Sequence, residues 1–129
     1  MSDYLFVYGT LRRNYDLKLK ARVKDGLRYV GQAKIGAVLY DIGRYPGAVK
    51  DRKGSEVIGD VFLVSDPAAV FPVLDKYEGK EFVRKKGKVR MRRGDELSAW
   101  IYWYSPDPGR KTPIRYKDYL NYLKNKSIH

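Results

Sequence analysis

The sequence contains no cysteine. That excludes disulfide staples, thiolate nucleophiles and thiolate metal sites. Histidine occurs once, as His129. A histidine-based catalytic triad or a histidine-rich metal cluster is therefore not available, and the carboxylates show no spaced cluster to replace one. No cofactor is expected. Acid–base chemistry would fall to Asp, Glu, Tyr or Lys. No apolar run approaches the roughly 18 residues that a membrane-crossing helix needs. Met1-Ser2-Asp3 leads straight into an apolar strand, without the basic and apolar regions of a secretory leader. The expectation is a cytoplasmic protein without a membrane partner. Gln32 is the only glutamine, and asparagine is scarce beside abundant Lys and Arg. That balance suggests a heat-adapted source.

Acidic residues are also in short supply. Fifteen Asp and Glu face 27 Lys and Arg, a formal net charge of +12. The densest basic segment holds Arg84, Lys85, Lys86, Lys88, Arg90, Arg92 and Arg93, followed by Trp100, Tyr102, Trp103 and Tyr104. Basic and aromatic residues on neighbouring segments suit single-strand nucleic-acid binding by stacking. The competing reading is a solvated strand face beside core aromatics, in a field that attracts small anions. No RNP-like aromatic motif is present, and zinc fingers are impossible without cysteine. Nucleic acid is therefore disfavoured as a partner.

What remains is a 129-residue chain, 43% hydrophobic and 33% charged, the size and composition of one globular domain. Tyr4–Val7 reads as a first strand. Asp16–Lys24 reads as a short helix closed by Gly26. Tyr29–Ile35 and Ala37–Asp41 read as two strands separated by Gly36, and Gly43–Ala48 as a loop. Val57–Val64 is a strand in which Gly59 marks a bulge or close approach. Ser65-Asp66-Pro67 starts a helix, and Pro72 suggests a break after Phe71. A helix from Pro72 would carry Val73, Leu74, Tyr77 and Glu78 and end at Gly79. Phe82–Met91 and Leu97–Tyr104 form a hairpin around Arg93-Gly94-Asp95. In its first arm, Val83, Lys85, Gly87, Val89 and Met91 share the buried face, and Phe82, Arg84, Lys86, Lys88, Arg90 and Arg92 the solvated one. Residues 106–109 are a turn, and Tyr116–Lys124 an amphipathic helix. The fold class is α+β, a small curved, barrel-like, mostly antiparallel or mixed sheet with two or three short flanking helices.

Two segments can carry chemistry. Tyr8-Gly9-Thr10-Leu11 follows the first strand directly. Gly9 permits a sharp turn and close approach of a ligand. The N–H groups after it can bind an anion or a developing oxyanion. An ordinary strand-to-loop turn is the plainer alternative. Glu78 is the second. Leu74, Tyr77 and Glu78 fall at i, i+3 and i+4, on one helical face. A carboxylate on a core-facing stripe loses hydration, so its pKa rises toward neutrality and it becomes a usable base. The alternative is an exposed glutamate paired with Lys80 or Lys85.

Together these segments resemble the γ-glutamylcyclotransferase-like family. The resemblance rests on Tyr8-Gly9-Thr10-Leu11, Gly43-Arg44-Tyr45-Pro46-Gly47-Ala48, Val57-Ile58-Gly59-Asp60-Val61 and Leu74-Asp75-Lys76-Tyr77-Glu78-Gly79. The basic strand with Arg84 and the aromatic strand Ala99–Tyr104 extend it. It implies a small barrel-like sheet with one cavity between the N-terminal loop and Glu78. Glu78 matches the family's catalytic acid–base position, and Tyr8, Gly9, Thr10 and Leu11 its substrate-cradling loop. The implied substrate is a small γ-glutamyl amine or amide. Its own α-amine attacks the γ-amide carbonyl, releasing 5-oxoproline and a free amine. Such a reaction needs no Ser, Cys or His, because the nucleophile belongs to the substrate. One departure is Phe82, where many members have a tyrosine. A second reading on the same scaffold is a module that binds a small carboxylate without turnover.

Overall fold

The computed structural model describes residues 3–8, 26–42, 46–51, 53–106 and 112–114. In chain order these contain β1 (Asp3–Val7), β2 (Leu27–Asp41), β3 (Pro46–Lys50), β4 (Glu56–Val64), α1 (Pro67–Glu78), β5 (Phe82–Met91), β6 (Glu96–Tyr104) and β7 (Thr112–Ile114). The helices expected over 16–24 and 116–124 lie outside the described residues.

Five strands follow one another as β2-β4-β1-β6-β5, and β5 returns to β2, so the sheet closes into a barrel. Pairing is antiparallel throughout except between β1 and β6, which run parallel with Leu5 beside Trp100 and Phe6 beside Ile101. The barrel and its flanking helix bear out the expected fold class. Strand β2 serves twice. Its first stretch, Leu27–Gly36, pairs with β4, and its second, Ala37–Asp41, pairs with β3 and carries β7 near its end.

Side chains alternate across each strand, and both faces of β1 are buried. Phe6 and Tyr8 point into the barrel among Ile35, Leu39, Val57, Val61, Val89 and Ile101. Leu5 and Val7 point outward, beneath α1, against Phe62, Val64, Phe71, Leu74 and Tyr102. A strand covered on both sides is a continuous apolar run rather than an alternating one, which is how Tyr4–Val7 reads. Gly59 is a close-approach point, as expected. A Cβ there would collide with the Val7 carbonyl oxygen and the Phe6 ring.

Four expectations are corrected. Gly36 does not separate one strand from another. It is the residue at which continuous β2 exchanges partner β4 for β3, and a Cβ there would sit only 3.1 Å from the Asp51 carbonyl oxygen. Pro46, Gly47 and Ala48 belong to β3 rather than a loop. Proline is tolerated because it opens the strand, and Gly47 leaves room for the Tyr104 ring. Residues 43–45 of the expected loop lie outside the described residues.

The helix runs unbroken through Pro72. The only bond lost is to Ala68, and both residues are exposed, so the freed carbonyl lies on a face open to solvent rather than in the core. Asp66 begins the helix with its main-chain oxygen, which accepts from Ala69 and Val70, and its side chain makes no cap bond. Finally, the two faces of β5 are not simply buried and solvated. Val89 and Met91 face the barrel interior as expected, but Phe82 is buried on the opposite face and Val83 is 39% exposed. Early β5 passes under α1, so its outward face is covered there.

Candidate functional site

The end of β1, the end of α1 and the aromatic strand β6 converge. Tyr8 lies at the end of β1 and is buried. Its hydroxyl donates to the Tyr102 carbonyl oxygen at 2.6 Å and accepts the Ala48 N–H at 3.1 Å. One phenol oxygen thus ties β1, β6 and β3 together. Burial, and more weakly the nearby Glu78 charge, push its pKa far up, although the Ala48 N–H opposes this. The group stays protonated at any ordinary pH. Gly9, Thr10 and Leu11, expected with Tyr8 to cradle a substrate, lie outside the described residues.

Glu78 is the last residue of α1. Helix pitch places it on the stripe of Val70, Phe71 and Leu74, the buried residues of α1. Gly79 stops the helix there, at φ 85°, its N–H bonded to the Asp75 carbonyl oxygen. The Glu78 side chain is partly buried. Burial first, and then the Asp75 charge, push its carboxyl up to about 7 from an ordinary 4.5. Neither Lys80 nor Lys85 forms an ion pair with it, so the exposed-pair alternative does not hold. Tyr77, expected on the same stripe, is 46% exposed, since the inward stripe passes through Leu74 and Glu78. Glu78 is near enough to raise the proton affinity of both Tyr8 and Tyr102.

Behind Glu78 stands a group that the sequence reading missed. The Asp75 carboxylate accepts Arg84 Nε at 2.9 Å and Nη2 at 3.3 Å, a bidentate pair, and the Tyr102 hydroxyl at 2.5 Å. The Arg84 guanidinium lies 4.1 Å from the Phe71 ring centre and 4.6 Å from that of Trp100. Desolvation pushes Asp75 up, but the Arg84 and Tyr102 hydrogen bonds outweigh it and leave the carboxyl below its ordinary value. Burial, and the bond to Asp75, raise Tyr102. Arg84 is thus no solvated base on an open strand face. Lys86 sits 4.0 Å from Asp3, and Arg93 pairs with Asp95 at 2.8 Å. Several members of the basic run are in this way partly neutralised.

Phe82 packs edge-on against Tyr104, with ring centres 5.8 Å apart, and Tyr104 donates its hydroxyl to Glu81 at 3.3 Å. Asp60, a carboxylate in β4, is buried and stands opposite Val7 at the end of β1. Among the described residues no group of three or more His, Cys, Asp or Glu is placed to hold a metal ion. Nor is any helix there long and apolar enough to cross a membrane.

Residues 5–121 match the family described as gamma-glutamyl cyclotransferase, AIG2-like. The chain belongs to that family. A relative from Methanocaldococcus jannaschii, named "Putative gamma-glutamylcyclotransferase MJ1514", is 30% identical over 125 residues, covering 91% of this chain and 98% of its own. Among solved structures, the uncharacterised protein PH0828 from Pyrococcus horikoshii superposes with a TM-score of 0.71 at 23% identity, covering 98% of both chains. An AIG2-like protein from Mus musculus gives 0.70 at 22% identity, over 84% of this chain and 81% of its own. These structures share the fold of the gamma-glutamyl cyclotransferase domain described here.

Proposed function

We propose that this gamma-glutamyl cyclotransferase family member cyclises a γ-glutamyl amine or amide, with Glu78 as the acid–base group. The observation that carries this reading is a partly buried carboxyl, pushed up to about 7, beside the phenol at which β1 ends. Such a group exchanges protons near neutral pH. The substrate's α-nitrogen attacks its own γ-carbonyl carbon and forms the five-membered ring. Glu78 takes a proton from that nitrogen and returns it to the leaving nitrogen. The C–N amide bond then breaks, giving 5-oxoproline and the free amine, with no water consumed. Attack within one molecule already supplies proximity, so the protein need only hold the folded conformer. In this reading the N–H groups of Gly9, Thr10 and Leu11 take the substrate carboxylate or the oxyanion, and the Tyr8 anchor fixes where that segment begins.

The test is 5-oxoproline release from a panel of γ-glutamyl amines and γ-glutamyl amino acids. Glu78→Gln keeps the shape and removes the base. It should lower kcat about 10²–10⁴-fold. Turnover that survives this change overturns the role given to Glu78. Tight binding of 5-oxoproline with no turnover of any panel member would instead mark a carboxylate-binding module.

A further inference from the structure

We propose that Asp75 is a positioning residue for Glu78: held by Arg84 and Tyr102, it is a fixed negative charge one helical turn before the acid–base group. This rests on the reading of Glu78 above and adds the residues that govern it. Positions i and i+3 are neighbours on a helix surface, so a charge at 75 acts directly on 78. An isolated surface aspartate would swing between rotamers. Asp75 cannot, because both its oxygens are engaged: Oδ1 by Arg84 Nε and the Tyr102 hydroxyl, Oδ2 by Arg84 Nη2. The guanidinium is itself fixed over Phe71 and Trp100. Bidentate charge-assisted geometry of this kind is the strong form of the interaction.

Among the described residues, few other sources of charge surround Glu78. From β1 comes Tyr8 and from β6 Tyr102, both phenols held protonated by burial. From β5 comes Arg84, whose contact is with Asp75. Lys76 and Lys80, on the helix and the following turn, are exposed. Among the described residues Asp75 therefore supplies the negative field at Glu78, and the guanidinium paired with it, of opposite charge, should offset some of that field. The pair works as two opposed settings of one proton affinity. Without Asp75, Glu78 would give up its proton too early and return it poorly to a leaving nitrogen. Without Arg84, the uncompensated aspartate would hold that proton more tightly. Tyr102 joins this pair to the rest of the site, since its hydroxyl serves Asp75 while its main-chain oxygen receives Tyr8.

The experiment follows the Glu78 carboxyl by ¹³C NMR titration in the full chain, alongside the pH profile of kcat/KM. Asp75→Asn should move the Glu78 midpoint down by about half to one pH unit, and Arg84→Gln should move it up by about half. The acid limb of the activity profile should follow in each case. Opposite signs are the decisive readout, because a merely structural loss at either position would lower activity without moving the midpoint in opposed directions. A midpoint unmoved by either change, or moved the same way by both, overturns the proposal. If Asp75→Asn fails to fold, an unmoved or lowered midpoint in Arg84→Gln alone overturns it. The titration needs no turnover. Opposed shifts in a protein without cyclase activity would leave the coupling standing and remove the reading of Glu78 as an acid–base catalyst.

Discussion

The Tyr8 hydroxyl and the Tyr102 carbonyl oxygen meet at 2.6 Å although 94 residues separate them in the chain. The same hydroxyl receives the Ala48 N–H. Tyr8→Phe would strand a buried donor and a buried acceptor together. An unsatisfied buried group costs about 1–3 kcal/mol. Chemical denaturation should show a loss in that range with an unchanged slope. Under the proposed function, cyclase activity should fall more than stability alone explains, because the start of the Gly9 segment loses its anchor.

Glu78 gives a pH dependence whose sign is unusual for a carboxylate. Its folded pKa, about 7, lies above its ordinary 4.5. The folded state therefore binds the extra proton, and stability from this group is full below about pH 4.5. It falls as pH rises through the folded value. The total loss is roughly 3 kcal/mol at most. Thermal melts at pH 5 and pH 8 should show the wild type losing more stability than Glu78→Gln across that interval. At pH 8 the variant should be the more stable of the two, even where, on the proposed reading, it turns over far more slowly.

Gly59→Ala should be among the most damaging small substitutions. The added methyl meets the Val7 main-chain oxygen, which cannot rotate away, and the Phe6 ring. Forcing β4 off β1 should cost about 1–3 kcal/mol. A denaturation midpoint within error of wild type would show that the two strands can separate freely.

Pro72→Ala should act the other way. The new N–H can bond to Ala68, on an exposed face of the helix. A gain of about 1 kcal/mol is expected, since the restored hydrogen bond outweighs the looser unfolded chain. A loss of stability would mean that the proline ring makes contacts of its own.

The elements of the fold legible in the sequence were those set by local chemistry. Ser65-Asp66-Pro67 marks a helix start, Gly79 its end, and Arg93-Gly94-Asp95 a hairpin turn, because caps and turns are decided by a few adjacent residues. The misreadings came from long-range pairing. Gly36 looks like a boundary until one sees that β2 changes partner there. Pro46-Gly47 looks like a loop until β2 offers it an edge. Phe82 and Arg84 look solvent-facing until α1 is laid over them.

The site followed the same division. Glu78 could be picked out by its place on an apolar helical face at a glycine stop. Tyr77 could not be excluded from that face by spacing alone, since i+3 and i+4 both count as neighbours. Asp75 stands in the Leu74–Gly79 stretch that carries the resemblance, but nothing in the sequence marks a role of its own. Its partners Arg84 and Tyr102 lie on strands β5 and β6, and only the packing of α1 against that hairpin brings the three together.

The side-by-side alignment of β1 with β6, both running the same way, imposes an order on biogenesis. No tight turn can join two such strands, and Leu5 waits for Trp100 to be synthesised. Until then one flank of the nascent N-terminal strand offers bare amide and carbonyl groups to any neighbour, an invitation to self-association. A chain terminated before Glu96 lacks the strand that seals this flank, so premature termination here should yield inclusion bodies rather than a smaller working protein.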